Sequence, residues 1–175
     1  VVAAVFSYVV LGAGFFTTQK SQEVVLAGVE AASANIEILG DVYGFNGTPF
    51  GDVAIGGTMT RVNFTIGLAA DGSPIDLQRM TIVYSNATGR YDLGMATPFF
   101  TSVSNGNWTV VRIQGGESNV LLEKGEQADI AVRVFGARPI VARDWFTIEI
   151  QPIEGATLTI RKTAPAAIET VQKLW

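Results

Sequence analysis

The sequence predicts an α+β fold, a long N-terminal helix followed by an antiparallel β-sandwich. Three observations predict it: an uncharged apolar run at the start of the chain, an amphipathic continuation at helical spacing, and a change of hydrophobic period from 3.6 to 2 beyond a glycine-rich stretch. The 175 residues suffice for one sizeable core and one appendage, and two large domains are not expected. Mean hydropathy is positive and only 16% of residues are charged, against about a quarter in an ordinary soluble domain. Part of the apolar surface is therefore expected to be hidden by membrane or partners.

No charged residue occurs from Val1 to Gln19, and Val1 to Phe16 is apolar or small apart from Ser7 and the Tyr8 hydroxyl. The run is slightly shorter than the roughly 20 residues that span a bilayer. It suits the end of a longer span or a helix enclosed on all sides by protein. Because the chain opens on Val1 inside this run, a preceding segment is expected. From Thr17 to Leu39 the apolar positions Val24, Val25, Gly28, Ala31, Ala32 and Leu39 recur at steps of three and four, with Lys20, Glu23, Glu30 and Glu37 on other faces. Read as one helix over 1–40, this is about 60 Å long, too long to pack on a domain of this size. Most of it must find partners outside its own chain.

A helix stop is expected near Gly40, followed by a linker over 41–57 punctuated by Gly44, Gly47, Pro49, Gly51, Gly56 and Gly57. The sandwich is expected over 58–175. Val62, Phe64, Ile66 and Leu68 alternate with Asn63, Thr65 and Gly67, as a half-buried strand requires. Further strands are expected at 77–84, 108–113, 130–135, 146–150 and 157–162, separated by DGSP, NATG, SNGN, GGES and EGA turns. The tail from Thr163 to Trp175 has too few periodic apolar positions to assign as helix.

Several function classes are excluded by composition. Without cysteine or histidine, thiolate nucleophiles, imidazole bases and the usual zinc ligand sets do not exist in this chain. A net charge of −4 repels a phosphate backbone, so no nucleic acid is expected as a partner. Asp41 with Asp52 and Glu123 with Glu126 are the carboxylate pairs that could be imagined as acid and base, but solvated turn carboxylates are far commoner than catalytic ones. No phosphate loop, nucleophile elbow or dinucleotide fingerprint appears. The expectation is of no enzyme, no cofactor and no metal site.

Four N-x-S/T sequons stand at Asn46, Asn63, Asn86 and Asn107, none with proline in the middle. Chance placement of this content of Asn, Ser and Thr gives about one, so N-glycosylation of a surface protein is favoured. Period 2 sends Asn63 outward between core-facing Val62 and Phe64. Pro49 follows Thr48 in the Asn46 sequon and weakens it, while Asn86 and Asn107 also fit ordinary turn asparagines.

The stretch Val2 to Gly40, VAAVFSYVVLGAGFFTTQKSQEVVLAGVEAASANIEILG, with FSYVVLGAGFFTTQKSQEVV as its most specific part, resembles the N-terminal helix of archaellins, the archaeal flagellins of the type IV pilin-like superfamily. The ending TLTIRKTAPAAIETV is similar to the way those proteins end. Mature archaellins carry a further short, mostly apolar stretch ahead of VVAAVFSY, which this chain lacks. The resemblance implies a helix that sits in the membrane before assembly and then packs with copies of itself, and possibly with related archaellins, into a filament core. Immunoglobulin-like, glycosylated sandwiches surround that core. The filament lies outside the cell, and a motor at its base turns it for swimming. On this reading Val5, Val9, Gly12, Phe16, Val24, Val25, Ala27, Ala31 and Ala32 are expected at helix–helix contacts. Two alternatives share parts of the pattern: an adhesive type IV-like pilin, with the same helix plan and no rotary motor, and a membrane-anchored β-sandwich binding module.

Overall fold

A computed structural model describes residues 36–46, 56–69, 72–97, 99–100, 103–117, 119–134 and 139–175. The described residues form a β-sandwich. Its strands are β1 (Ile36–Phe45), β2 (Thr58–Met59), β3 (Arg61–Leu68), β4 (Ile75–Asp76), β5 (Thr81–Asn86), β6 (Gly89–Met95), β7 (Asn107–Gln114), β8 (Leu121–Leu122), β9 (Gln127–Arg133), β10 (Ile140–Val141), β11 (Trp145–Gln151), β12 (Leu158–Thr163) and β13 (Val171–Leu174).

Nine of these follow one another in the order β12-β11-β5-β6-β7-β9-β3-β1-β13. β12, β11, β5 and β6 make a back sheet, and β7, β9, β3, β1 and β13 make a front sheet. The two are joined where the end of β6 runs parallel to the start of β7, through Gly94 with Asn107 and Met95 with Trp108. All other pairings in the two sheets are antiparallel, so the expected antiparallel sandwich has one parallel seam.

The core lies between the sheets and follows strict alternation. On β3 it takes Val62, Phe64 and Ile66; on β9, Ala128, Ile130 and Val132; on β11, Phe146, Ile148 and Ile150. Each burial removes an apolar side chain from water, which is the main favourable term in holding the layers together. β7 breaks parity once. Val110 pairs with Ile130 but Arg112 pairs with Asp129, so Val111 is an extra, bulged residue. The bulge lets Trp108, Val110 and Ile113 all face the core.

Two expectations require correction, and one segment left unassigned gains a strand. Residues 36–40 are not the last turn of a helix, and 41–45 are not linker: together they form β1, paired on one side with β3 and on the other with β13. Gly40, expected as a helix stop, instead has φ +76 within an irregularity that puts Leu39 opposite Thr65 and Tyr43 opposite Asn63. Residues 40–42 have no register partner on β3, while Val42 pairs with Leu174 of β13 and lies in the core. Next, the segment from Leu77 begins with a 3-10 turn, Leu77–Arg79, capped by the Asp76 carboxylate on Gln78 N, and the strand starts only at Thr81. Finally, the unassigned tail contributes an edge strand, β13.

Candidate functional site

The expected helix contacts Val5, Val9, Gly12, Phe16, Val24, Val25, Ala27, Ala31 and Ala32 lie outside the described residues, as does any membrane stage that rests on them. Among the described residues no helix is long and apolar enough to cross a membrane, and no cluster of three or more acidic side chains is placed to hold a metal. The site that can be built from described residues is therefore the surface of the sandwich.

Of the carboxylates in the two imaginable acid–base pairs, Asp41 and Glu126 have structural partners. Asp41 receives Lys173 Nζ at 2.7 Å, and Asp52 lies outside the described residues. Glu126 closes a tight turn: its carboxylate accepts from Glu123 N at 2.9 Å while its own N–H donates to the Glu123 carbonyl. That turn sits against Gly116, where a β-carbon would collide with the Glu126 carboxylate.

On the outward side of the front sheet, Asp129 joins three strands. It accepts from Thr65 Oγ1 on β3 at 2.7 Å, from Arg112 Nη2 and Nε on β7 at 2.8 and 3.1 Å, and from Gln114 Nε2. Beside it the widened part of β1 opens a cleft of about 380 Å³, bounded by Leu39, Asp41, Tyr43, Asn63, Thr65 and Asp129. Arg61 on the same face is wholly buried, its guanidinium 4.4 Å from the centre of the Phe45 ring. Nothing in the alternation of β3 announced a buried arginine; the pairing of Arg61 with Phe45 across the sheet is what places it.

The four sequons sit in unlike places. Asn86 ends β5 in a turn where its Oδ1 accepts from Thr88 N, Thr88 Oγ1 and Gly89 N at 3.0, 2.7 and 3.2 Å. Its Nδ2 donates to the Tyr84 hydroxyl at 3.2 Å. Burial pushes the Tyr84 hydroxyl up to about 12, against a smaller lowering by the bond from Asn86. Asn107 follows the turn at Gly106, its Nδ2 donating to Ser104 Oγ at 2.8 Å. Asn63 faces away from the core, as alternation expects, but onto the cleft, where it is half-buried and its Oδ1 is enclosed with no hydrogen-bond partner among the described residues. Asn46 is likewise half-buried with an enclosed Oδ1.

The sequence model of the family described as archaeal-type flagellin matches residues 1–162. The chain is 35% identical to probable flagellin 1 of Archaeoglobus fulgidus over 187 aligned residues, covering 99% of this chain and 86% of that relative. Among solved structures it is similar to a chain of the archaeal flagellum of Methanospirillum hungatei strain JF1, with TM-score 0.74 and 27% identity over 99% of this chain and 90% of that one. The fold alone is shared with an archaeal flagellin of Methanocaldococcus jannaschii, with TM-score 0.62 and 20% identity over 79% of this chain and 95% of that chain.

Proposed function

The chain belongs to the archaeal-type flagellin family and is a subunit of the extracellular archaeal flagellum filament, and from that premise we propose how its two parts divide the work. The N-terminal segment, residues 1–35, is the assembly element. It sits in the membrane before assembly and then packs with the same segment of other copies, Val5, Val9, Gly12, Phe16, Val24, Val25, Ala27, Ala31 and Ala32 supplying the contacts. The sandwich forms the outer wall, and the filament is turned by a motor at its base.

The observation that carries this division is that the family match includes residues 1–35 as well as the sandwich. An apolar helix gains little from association in lipid, whose tails are as apolar as leucine; moved out of lipid, the same side chains are driven together by water. Family membership also decides against the tethered binding module and the adhesive pilin, which share the plan and not the family. The family is one of structural flagellins, and a filament subunit needs no catalytic group.

Glycans are proposed first on Asn86 and Asn107, which stand in turns. Asn63 comes second because it walls the front-sheet cleft, and Asn46 because Pro49 follows its Thr48. The test of the assembly reading is the purified full chain freed of detergent. Long filaments are expected from the wild type, and Val9→Asp should abolish them while the sandwich keeps its circular dichroism. A stable monomer from the wild type, or normal filaments from Val9→Asp, sinks the reading.

A further inference from the structure

The two outward faces of the sandwich differ in chemistry. The back sheet turns Thr81, Ser85, Arg90, Asp92, Thr159 and Arg161 outward, with Arg90 paired to Glu149 at 2.8 Å. Its one large exposed aromatic, Trp145, has the Arg161 guanidinium 5.0 Å from its ring centre. This is a surface made for water. On the front sheet the β1–β13 side presents Tyr43 at 41%, Val171 at 48% and Trp175 at 84% exposure, Trp175 also carrying a cation, Lys173 Nζ, 4.1 Å from its ring centre. Half-buried Leu39 and Phe45 lie beside them, and the cleft bounded by Tyr43, Asn63 and Asp129 opens next to them.

We propose that this part of the front sheet, from the cleft to the β13 edge, is the surface by which the sandwich packs against a second copy of this chain in the filament, while the back sheet faces water. The inference rests on the filament reading and adds to it an orientation. Three observations select the occupant.

First, the ion pairs of the patch are internal: Asp41 holds Lys173 and Asp129 holds Arg112. A charged ligand gains nothing there, whereas an apolar partner can cover the patch without stranding a charge. Second, the 35 residues that precede β1 join the sandwich at Ile36, on the front sheet, and 1–19 are uncharged. A segment that gathers copies therefore tethers each sandwich through its front sheet. Third, a subunit that polymerises without closing needs contacts between different surfaces of successive copies. An exposed aromatic edge adjoining a cleft gives one copy a projection and the next a recess. Among the described residues β13 pairs only with β1, and its outer edge lies within the same surface.

The sequence contains no cysteine, so single-cysteine variants report one position each. Tyr43→Cys and Val171→Cys on the front sheet, and Thr159→Cys and Arg161→Cys on the back sheet, are labelled with a maleimide in assembled filaments and in dissociated full-length subunits. Assembly should slow labelling at 43 and 171 by about tenfold or more and change it less than about twofold at 159 and 161, because a packed interface excludes water and reagent. Equal rates at 43 and 171 in the two states, or protection of 159 and 161 instead, overturn the proposal. As a second readout, Tyr43→Arg should lose filaments with the sandwich folded by circular dichroism, and normal filament yield from it overturns the proposal as well. A wild-type chain that builds no filaments sinks the filament reading and this surface with it, whereas filaments that label freely at 43 and 171 sink the surface alone.

Discussion

The Met59 sulfur occupies the space that a β-carbon on Gly44 would need, so the side chain of one strand fills the gap left by the absent side chain of another. Gly44 is a core-facing position of β1, and Met59 is wholly buried, with Leu174 in van der Waals range of the same point. Gly44→Ala therefore requires Met59 to move within a packed core. The expected cost is about 1–3 kcal/mol, or a fall in Tm of roughly 2–12 °C for a chain of this size, measured by thermal unfolding. Met59→Ala, itself costly as a cavity, should cost less in the Gly44→Ala background than in the wild type, because there it also relieves the collision.

Asp129 and Arg112 should prove unequal partners. Arg112 is 65% exposed in its side chain and its removal strands no buried group, so Arg112→Ala should cost under about 1 kcal/mol. Asp129→Ala takes the acceptor from Thr65, Arg112 and Gln114 together and should cost about 2–3 kcal/mol. Denaturant midpoints of the two single variants and the double variant check this, with the double close to Asp129→Ala alone.

Alkaline pH should weaken the fold through Tyr84. Its hydroxyl is raised by burial from 10.0 to about 12. The folded state thus holds a proton that the unfolded chain has lost, and stability present below about pH 10 falls away as pH rises toward 12. In Tyr84→Phe that particular decline should vanish. Stability measured at several pH values between 9 and 12 for both proteins decides it; an identical decline in the two would show that Tyr84 plays no part.

Occupancy of the sequons should follow their surroundings. Glycopeptide analysis of native filaments should find Asn86 and Asn107 modified more fully than Asn63, which walls the front-sheet cleft, and Asn46, whose sequon is followed by Pro49. Thr88→Ser should keep the Asn86 turn and its glycan, because the hydroxyl bond to Asn86 Oδ1 survives. Thr88→Ala should keep the turn, whose backbone N–H bonds to Asn86 Oδ1 remain, and lose the glycan with the sequon hydroxyl. Full occupancy of Asn63 with a bare Asn86 would reverse the ordering, and would also place a glycan in the front-sheet cleft.

The sequence by itself determined the period-2 strands with strong alternation. Val62, Phe64 and Ile66 face the core as their spacing required, and the SNGN turn falls just before β7. It also determined the family resemblance through FSYVVLGAGFFTTQKSQEVV and the sequons as sequence motifs. What it left undecided lies where local signals conflict. The stretch from Ile36 to Phe45 carries apolar residues at both helical and strand spacings, and a ten-residue run of that kind has no fixed period of its own. It becomes β1 because Arg61–Leu68 and Val171–Leu174 offer its backbone two rows of hydrogen bonds, one of them from the far end of the chain.

The same holds for the surface. Alternation says that Arg61, Asn63 and Asp129 turn away from the core, but not that Arg61 is buried against Phe45, that Asn63 walls a cleft, or that Asp129 ties three strands. Period is a property of neighbours in sequence. Pairing joins strands more than a hundred residues apart, and only the tertiary structure decides which side chains then share a face.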